Sequence, residues 1–222
     1  MTRARADSRW SLTSPLCVGD GERASRGRGR SAGPGGPGWH SGGVQVHGLL
    51  LAAGAGRRMG RPKALVDDWL SRGVRALRVG GCDPVTVVLG AASDEAVARL
   101  GDDLAMVVVA TDWAEGMGAS LRAGLAALSP LDAVLVTLVD LPDVGADVIA
   151  RLLAAPVGAT TLRRAAYDGI PGHPVLLGRD HWAGVAESAT GDRGARDYLA
   201  AREVEVVECG DLATGRDVDR PS

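Results

Sequence analysis

Short apolar runs alternate with stretches of helical periodicity along the chain after residue 44, and that alternation leaves few ways to fold. Seven runs rich in Val, Leu and Ala read as strands: 46–52, 85–89, 104–110, 133–139, 159–166, 174–177 and 204–208. Several are continuously apolar, which is the pattern of strands buried on both faces. Helical spacing recurs in 69–79, 94–100, 119–128, 146–155, 179–187 and 194–201; Leu121, Leu125 and Leu128 mark one inward face, and Val148, Leu152 and Ala155 another. Ser93, ahead of Asp94 and Glu95, and Gly145, ahead of Asp147, have the character of helix starts. The order predicts an α/β fold, a mostly parallel sheet with helices on both faces, whose ligands bind beyond the carboxyl ends of the strands.

The 222 residues suit one such domain, and the 45% apolar content supplies its core. With no Phe, that core must be built from Val, Leu and Ala. Residues 1–43 are a different material. They carry seven Arg against Asp7, Asp20 and Glu22, and end in Gly33-Pro34-Gly35-Gly36-Pro37-Gly38. Such a stretch buries too little apolar surface to offset its ordering entropy, so it is expected to be a disordered, solvated or non-native extension, with the folded domain in 44–222. The extension carries +4 and leaves −6 on the rest, which argues against a nucleic-acid surface. No apolar run reaches the length of about 18 residues that a membrane helix needs. Cys17, Cys82 and Cys209 are widely spaced and odd in number, form no metal or redox motif, and fit a reduced, cytoplasmic compartment.

The carboxyl end of the first strand continues as Leu51-Ala52-Ala53-Gly54-Ala55-Gly56-Arg57-Arg58-Met59-Gly60-Arg61-Pro62-Lys63, and Lys63 is the only lysine in the chain. Glycines let backbone N–H groups approach phosphate oxygens, while Arg forks and a Lys point charge neutralise the anion; together they read as a polyphosphate site. The alternative is an ordinary strand-to-helix connection with its basic residues in solvent. Two better-known phosphate loops are excluded. A G-x-G-x-x-G fingerprint would need glycine where Met59 stands, and a P-loop would need Lys directly after its last glycine and a hydroxyl after that, where Arg61, Pro62 and Ala64 intervene or follow.

The fourth strand ends in Asp140-Leu141-Pro142, placing a carboxylate at the same sheet edge. It reads either as a turn Asp or as a hard-cation ligand, and the basic loop beside it favours Mg²⁺ held by carboxylate and substrate phosphates. The segment from Asp112 to Ser120 offers glycines and a helix start that suit an anion or a base edge, or else a plain glycine-rich connection. Gly172-His173-Pro174 and the Gly191-to-Arg196 stretch have turn character; by composition alone, residues 217–221 are an acidic tail.

Taken together, the 51–63 loop, Trp113 to Leu125, Val139-Asp140-Leu141-Pro142, Gly172-His173-Pro174-Val175 and Gly191-Asp192-Arg193-Gly194-Ala195-Arg196 resemble the MobA-like nucleotidyltransferase family. Leu51-Ala52-Ala53-Gly54 and the last two motifs place the resemblance nearest the molybdenum cofactor cytidylyltransferases. It implies a three-layer α/β/α Rossmann-like fold in which Leu51, Ala52, Ala53 and Gly54 line the base and ribose. Arg58 and Lys63 would hold the triphosphate, with Gly56 and Ser120 also at the nucleotide, and Asp140 and Asp219 would bind Mg²⁺. Catalysis would rest on Lys63, Arg58 and Asp140. The implied reaction transfers CMP from CTP to a phosphate-bearing acceptor such as molybdopterin cofactor and releases pyrophosphate; a GTP- or sugar-phosphate-using relative and a non-catalytic nucleotide-binding regulator remain alternatives. Two departures stand out: the chain is short between Lys63 and Val85, and Arg220 stands where the family usually has Thr.

Overall fold

The computed structural model describes residues 44–101 and 105–220; the expected disordered extension, 1–43, lies outside them. A seven-stranded sheet runs in the order β3-β2-β1-β4-β6-β5-β7. Its strands are β1 Val46–Ala52, β2 Val85–Leu89, β3 Met106–Val109, β4 Ala133–Leu138, β5 Leu162–Tyr167, β6 Ile170–Gly178 and β7 Glu205–Glu208. Pairing is parallel throughout except along β6, which runs antiparallel to both β4 and β5. The helices are α1 Trp69–Val79, α2 Ser93–Leu100, α3 Met117–Ala127, α4 Ala146–Leu153, α5 Trp182–Ser188 and α6 Arg196–Ala200.

Side-chain alternation along β1 divides the molecule into three layers. Leu50 and Ala52 face one core with residues of α1, α2 and α4, whereas Leu49 and Leu51 face the other with residues of α3, α5 and α6. This is a three-layer α/β/α domain with a mostly parallel sheet, as the order of apolar runs predicts. The bounds of β1, β2 and α1 coincide with those read from the sequence.

Three local expectations are corrected. Gly172-His173-Pro174 is not a turn but lies inside β6; the reversal is made instead by Asp168 and Gly169, both at positive φ, 52° and 77°. An Asp-Gly pair is the residue choice that such a two-residue hairpin demands. The 179–187 helix begins as a 3₁₀ turn, Arg179–His181, and becomes α-helical at Trp182. Ser93 is the first residue of α2, the helix start that the sequence indicates, and the residue ahead of it, Ala92, lies in the left-handed region. The helix expected over 119–128 starts at Met117, so Ser120 lies within its first turn.

The strand order reverses between β1 and β4, each parallel to the other but continued in opposite directions across the sheet. At such a switch point the connections leave to opposite faces and a crevice opens at the carboxyl ends. Here those ends are the glycine loop and Asp140.

Candidate active site

The loop after β1 is held by its own backbone. Met59 N–H donates to Gly56 O at 2.8 Å and Lys63 N–H to Gly54 O at 3.3 Å, closing residues 54–63 into a compact turn. Gly56 sits at φ 58°, and a Cβ there would come within 1.9 Å of Arg61 O, so no other residue fits without moving the loop. Buried Met59, Ala64 and Leu65 peg the loop into the core on both sides of Lys63, which opens a 3₁₀ turn over Lys63–Leu65. Val66, Asp67 and Asp68 then lead straight into α1, with Asp67 at φ 41°, so the short stretch after Lys63 is closed by a tight left-handed step.

Lys63 is thereby aimed at carboxylates. Its ammonium donates to Asp140 and to Asp219 Oδ1, the latter at 2.6 Å, and Arg58 donates to the other oxygen of Asp219 at 2.9 Å. Burial alone would lower the Lys63 ammonium, but its hydrogen bonds to the two carboxylates outweigh this and hold it above its ordinary value. The Lys63 hydrogen bond, with Arg58 adding to it, holds Asp219 below the usual carboxylate range. Asp140 is buried at the end of β4, whose continuation is fixed by Val139 N–H donating to Leu51 O at 3.1 Å.

Asp219 arrives from far along the chain. After β7 an arm returns across the sheet edge, held by Cys209 N–H to Ala166 O at 2.7 Å, Arg151 to Asp211 at 2.9 Å, Thr214 N–H to Asp143 at 2.7 Å, and Val218 N–H to Asp140 O at 3.0 Å. The last bond sets residues 217–219 directly against the end of β4. Carboxylate oxygens of Asp140, Asp217 and Asp219 all lie within 4.8 Å of one another. Three carboxylates at that spacing are a donor set for a hard divalent cation, and the residues present fit one. Asp217 was not singled out by sequence reasoning; its signal was the Asp-x-Asp spacing.

Leu51, Ala53, Gly54, Gly56, Arg58, Lys63, Ser120, Asp140 and Asp219 all line one cleft of about 700 Å³, closed opposite by Trp113 to Met117. Ala52 does not: its methyl group lies in the core beneath the loop. The C-terminal segment is thus a wall of the site rather than a solvated tail. Cys82 and Cys209 are free thiols buried away from it, and burial pushes Cys82 up to about 12.

Residues 48–206 match the MobA-like NTP transferase domain. The chain is 37% identical over 188 residues to nicotine blue oxidoreductase of Paenarthrobacter nicotinovorans, covering 78% of this chain and 92% of that protein. It is 33% identical over 143 residues to molybdenum cofactor guanylyltransferase of Rhodobacter capsulatus, covering 63% of this chain and 66% of that one. Among solved structures, Rv0371c of Mycobacterium tuberculosis in complex with manganese is similar, with a TM-score of 0.65, 26% identity, and coverage of 79% of this chain and 94% of that chain.

Proposed function

Because this chain belongs to the MobA-like NTP transferase family, we propose that it transfers a nucleoside monophosphate, CMP from CTP, to a phosphate-bearing small molecule such as molybdopterin cofactor and releases pyrophosphate. The observation that carries this reading is the cluster of Lys63, Arg58, Asp140 and Asp219 at the switch point of the sheet. It joins cations for a triphosphate to carboxylates for a metal in one cleft.

In the reaction, an oxygen of the acceptor phosphate attacks the α-phosphorus. A new P–O bond forms as the bond from the α-phosphorus to its β-bridging oxygen breaks, and pyrophosphate leaves with that electron pair. The nucleophile is already anionic at neutral pH, so no strong general base is required. Lys63 has three donors and engages two carboxylates, which leaves one for a phosphate oxygen. Arg58 reaches the same place from the exposed side of the loop and neutralises charge that develops on the leaving group. Asp140, Asp217 and Asp219 would hold Mg²⁺. That cation, when bound, supplies charge neutralisation and alignment of the triphosphate. The glycine loop positions the nucleotide through its backbone, and Ser120 stands at the first turn of α3 across the cleft. The reaction is assigned to a reducing cytoplasmic setting.

A second reading has one observation in its favour, the 37% identity to an oxidoreductase across 92% of its length. In this reading the same cleft serves oxidation and reduction of a small organic substrate, with the electrons carried by a bound cofactor rather than by the buried thiols.

One assay pair separates the two. Pyrophosphate release is measured with CTP, GTP, ATP and UTP against molybdopterin and sugar phosphates, in parallel with oxidation of a reduced nicotinamide by a quinoid dye. Release with CTP and a phosphorylated acceptor supports transfer. Release with GTP alone moves the base assignment to the guanylyl side. Nicotinamide oxidation with no pyrophosphate from any nucleotide would sink the transfer reading.

A further inference from the structure

A second cavity, about 460 Å³, opens off the cleft toward β6, and Leu51, Met117, His173, Asp192 and Arg196 form walls of both. Its floor is apolar, made by Leu121, Val136, Val175, Leu177 and Leu199 between the sheet and the α3–α6 layer.

Its rim is cationic, and two of its three arginines have no ion-pair partner among the described residues. Arg163 is tied to Glu205 at 2.7 Å, and Arg193, on the cavity wall, to Asp197 at 2.6 Å. Arg164 and Arg196 also line the cavity, yet neither forms an ion pair among the described residues. Arg164 donates to Gly172 O at 3.2 Å, but its Nε is buried without a partner. A buried donor left unmatched costs the desolvation of that group, and native structures leave few. The β5–β6 register shifts between Arg164 and Ala166, an irregularity of the kind that re-aims a side chain beside a site. Burial first, and then Arg196, makes the charged form of Arg164 harder to keep. Burial and the same two arginines push His173 down to about 4, so it is neutral at pH 7. Asp192 at the shared mouth is the one carboxylate among the walls.

We propose that this cavity is the acceptor site. A flat apolar body lies on the Leu and Val floor, and the acceptor's phosphate sits between Arg164 and Arg196. Arg196 borders both spaces, so a phosphate held there faces the triphosphate cleft. The assignment rests on the nucleotidyl-transfer reading and adds to it the shape and charge of the acceptor.

The test titrates phenyl phosphate, a flat ring with one phosphate, into the full chain by calorimetry, with phenol and CTP–Mg²⁺ titrated separately. Phenyl phosphate should bind and phenol should not. Arg164→Gln and Arg196→Gln should each weaken phenyl phosphate by about tenfold or more, the loss of a charge-assisted hydrogen bond. Leu199→Trp, which fills the cavity, should abolish it, and CTP affinity should stay at the wild-type level in Arg164→Gln and Leu199→Trp, neither of which lines the nucleotide cleft. Melting curves confirm folding; were Leu199→Trp unfolded, the two Arg→Gln variants carry the test. Phenyl phosphate affinity unchanged in Arg164→Gln, or lost only in Lys63→Ala, places the anion in the triphosphate cleft and overturns the proposal. A wild type that binds no nucleotide overturns the transfer reading instead, while the Arg164 dependence of phenyl phosphate still decides whether the cavity is an anion site.

Discussion

Lys63 stands where charge must be balanced in two different states. Without ligand it neutralises Asp140 and Asp219; in the proposed transfer its third donor would point to a phosphate oxygen. Lys63→Ala should therefore cost roughly 1.5–3 kcal/mol of CTP binding, the value of a charge-assisted contact. Calorimetry checks this, and unchanged affinity would remove the phosphate role of the loop. His173 gives a prediction about pH. Its pKa falls from 6.5 to about 4 on folding, so the unfolded chain takes up a proton first as pH drops. The contribution of a neutral His173 is fully present above 6.5 and is lost as pH falls toward 4. Urea melts at several pH values should show His173→Gln gaining stability relative to wild type across that window; parallel curves would reject a neutral imidazole on the cavity wall. The residues visible in the sequence were those in local motifs, namely Arg58, Lys63 and Asp140. Arg164 was not visible, because a basic residue inside a strand is informative only once its neighbours are known to lack a carboxylate.

Among the elements, the strands and helices of the parallel half were legible, because continuous apolar runs and helical spacing identify them without tertiary help. The β5–β6 hairpin was less so. β6 begins Ile170-Pro171-Gly172-His173-Pro174, a composition that reads as a turn, and only the pairing with β5 makes it a strand. The returning arm was the least legible, since nothing in 209–219 is periodic; its path is set by hydrogen bonds to distant residues. Gly215 is the point where that path is tightest. It sits at φ 61°, and a Cβ would lie 2.1 Å from the Tyr167 ring. Gly215→Ala should strain the arm by on the order of 1–3 kcal/mol and displace Asp217 and Asp219. The expected pattern is a large loss of metal-dependent turnover with a small drop in Tm. Turnover retained at the wild-type level would show that the arm is not needed to place the carboxylates.

At the scale of the whole molecule, the reversal between β1 and β4 gathers loop, strand end and arm into one crevice, and a ligand there binds only the folded state. Saturating CTP with Mg²⁺ at a hundredfold over its Kd contributes about 2.7 kcal/mol, which for a domain of this size raises Tm by roughly 5–10 °C. Asp140→Asn should abolish the Mg²⁺-dependent part of that shift. Because Lys63 already sits against Asp140, the same variant should melt slightly lower without ligand rather than higher, having lost an ion-pair partner. A full Mg²⁺-dependent shift in the variant would leave Asp140 as a strand-end residue only. The arm has one more consequence. The sheet is complete at Glu208, while Asp217 and Asp219 lie beyond its last strand. A protease that trimmed the chain between Ala213 and Asp217 would leave a protein that keeps all seven strands and nearly all of its core yet has lost two of its three carboxylates. Abundance and activity would then part company, and an antibody or a melting curve would count as intact molecules that no longer turn over.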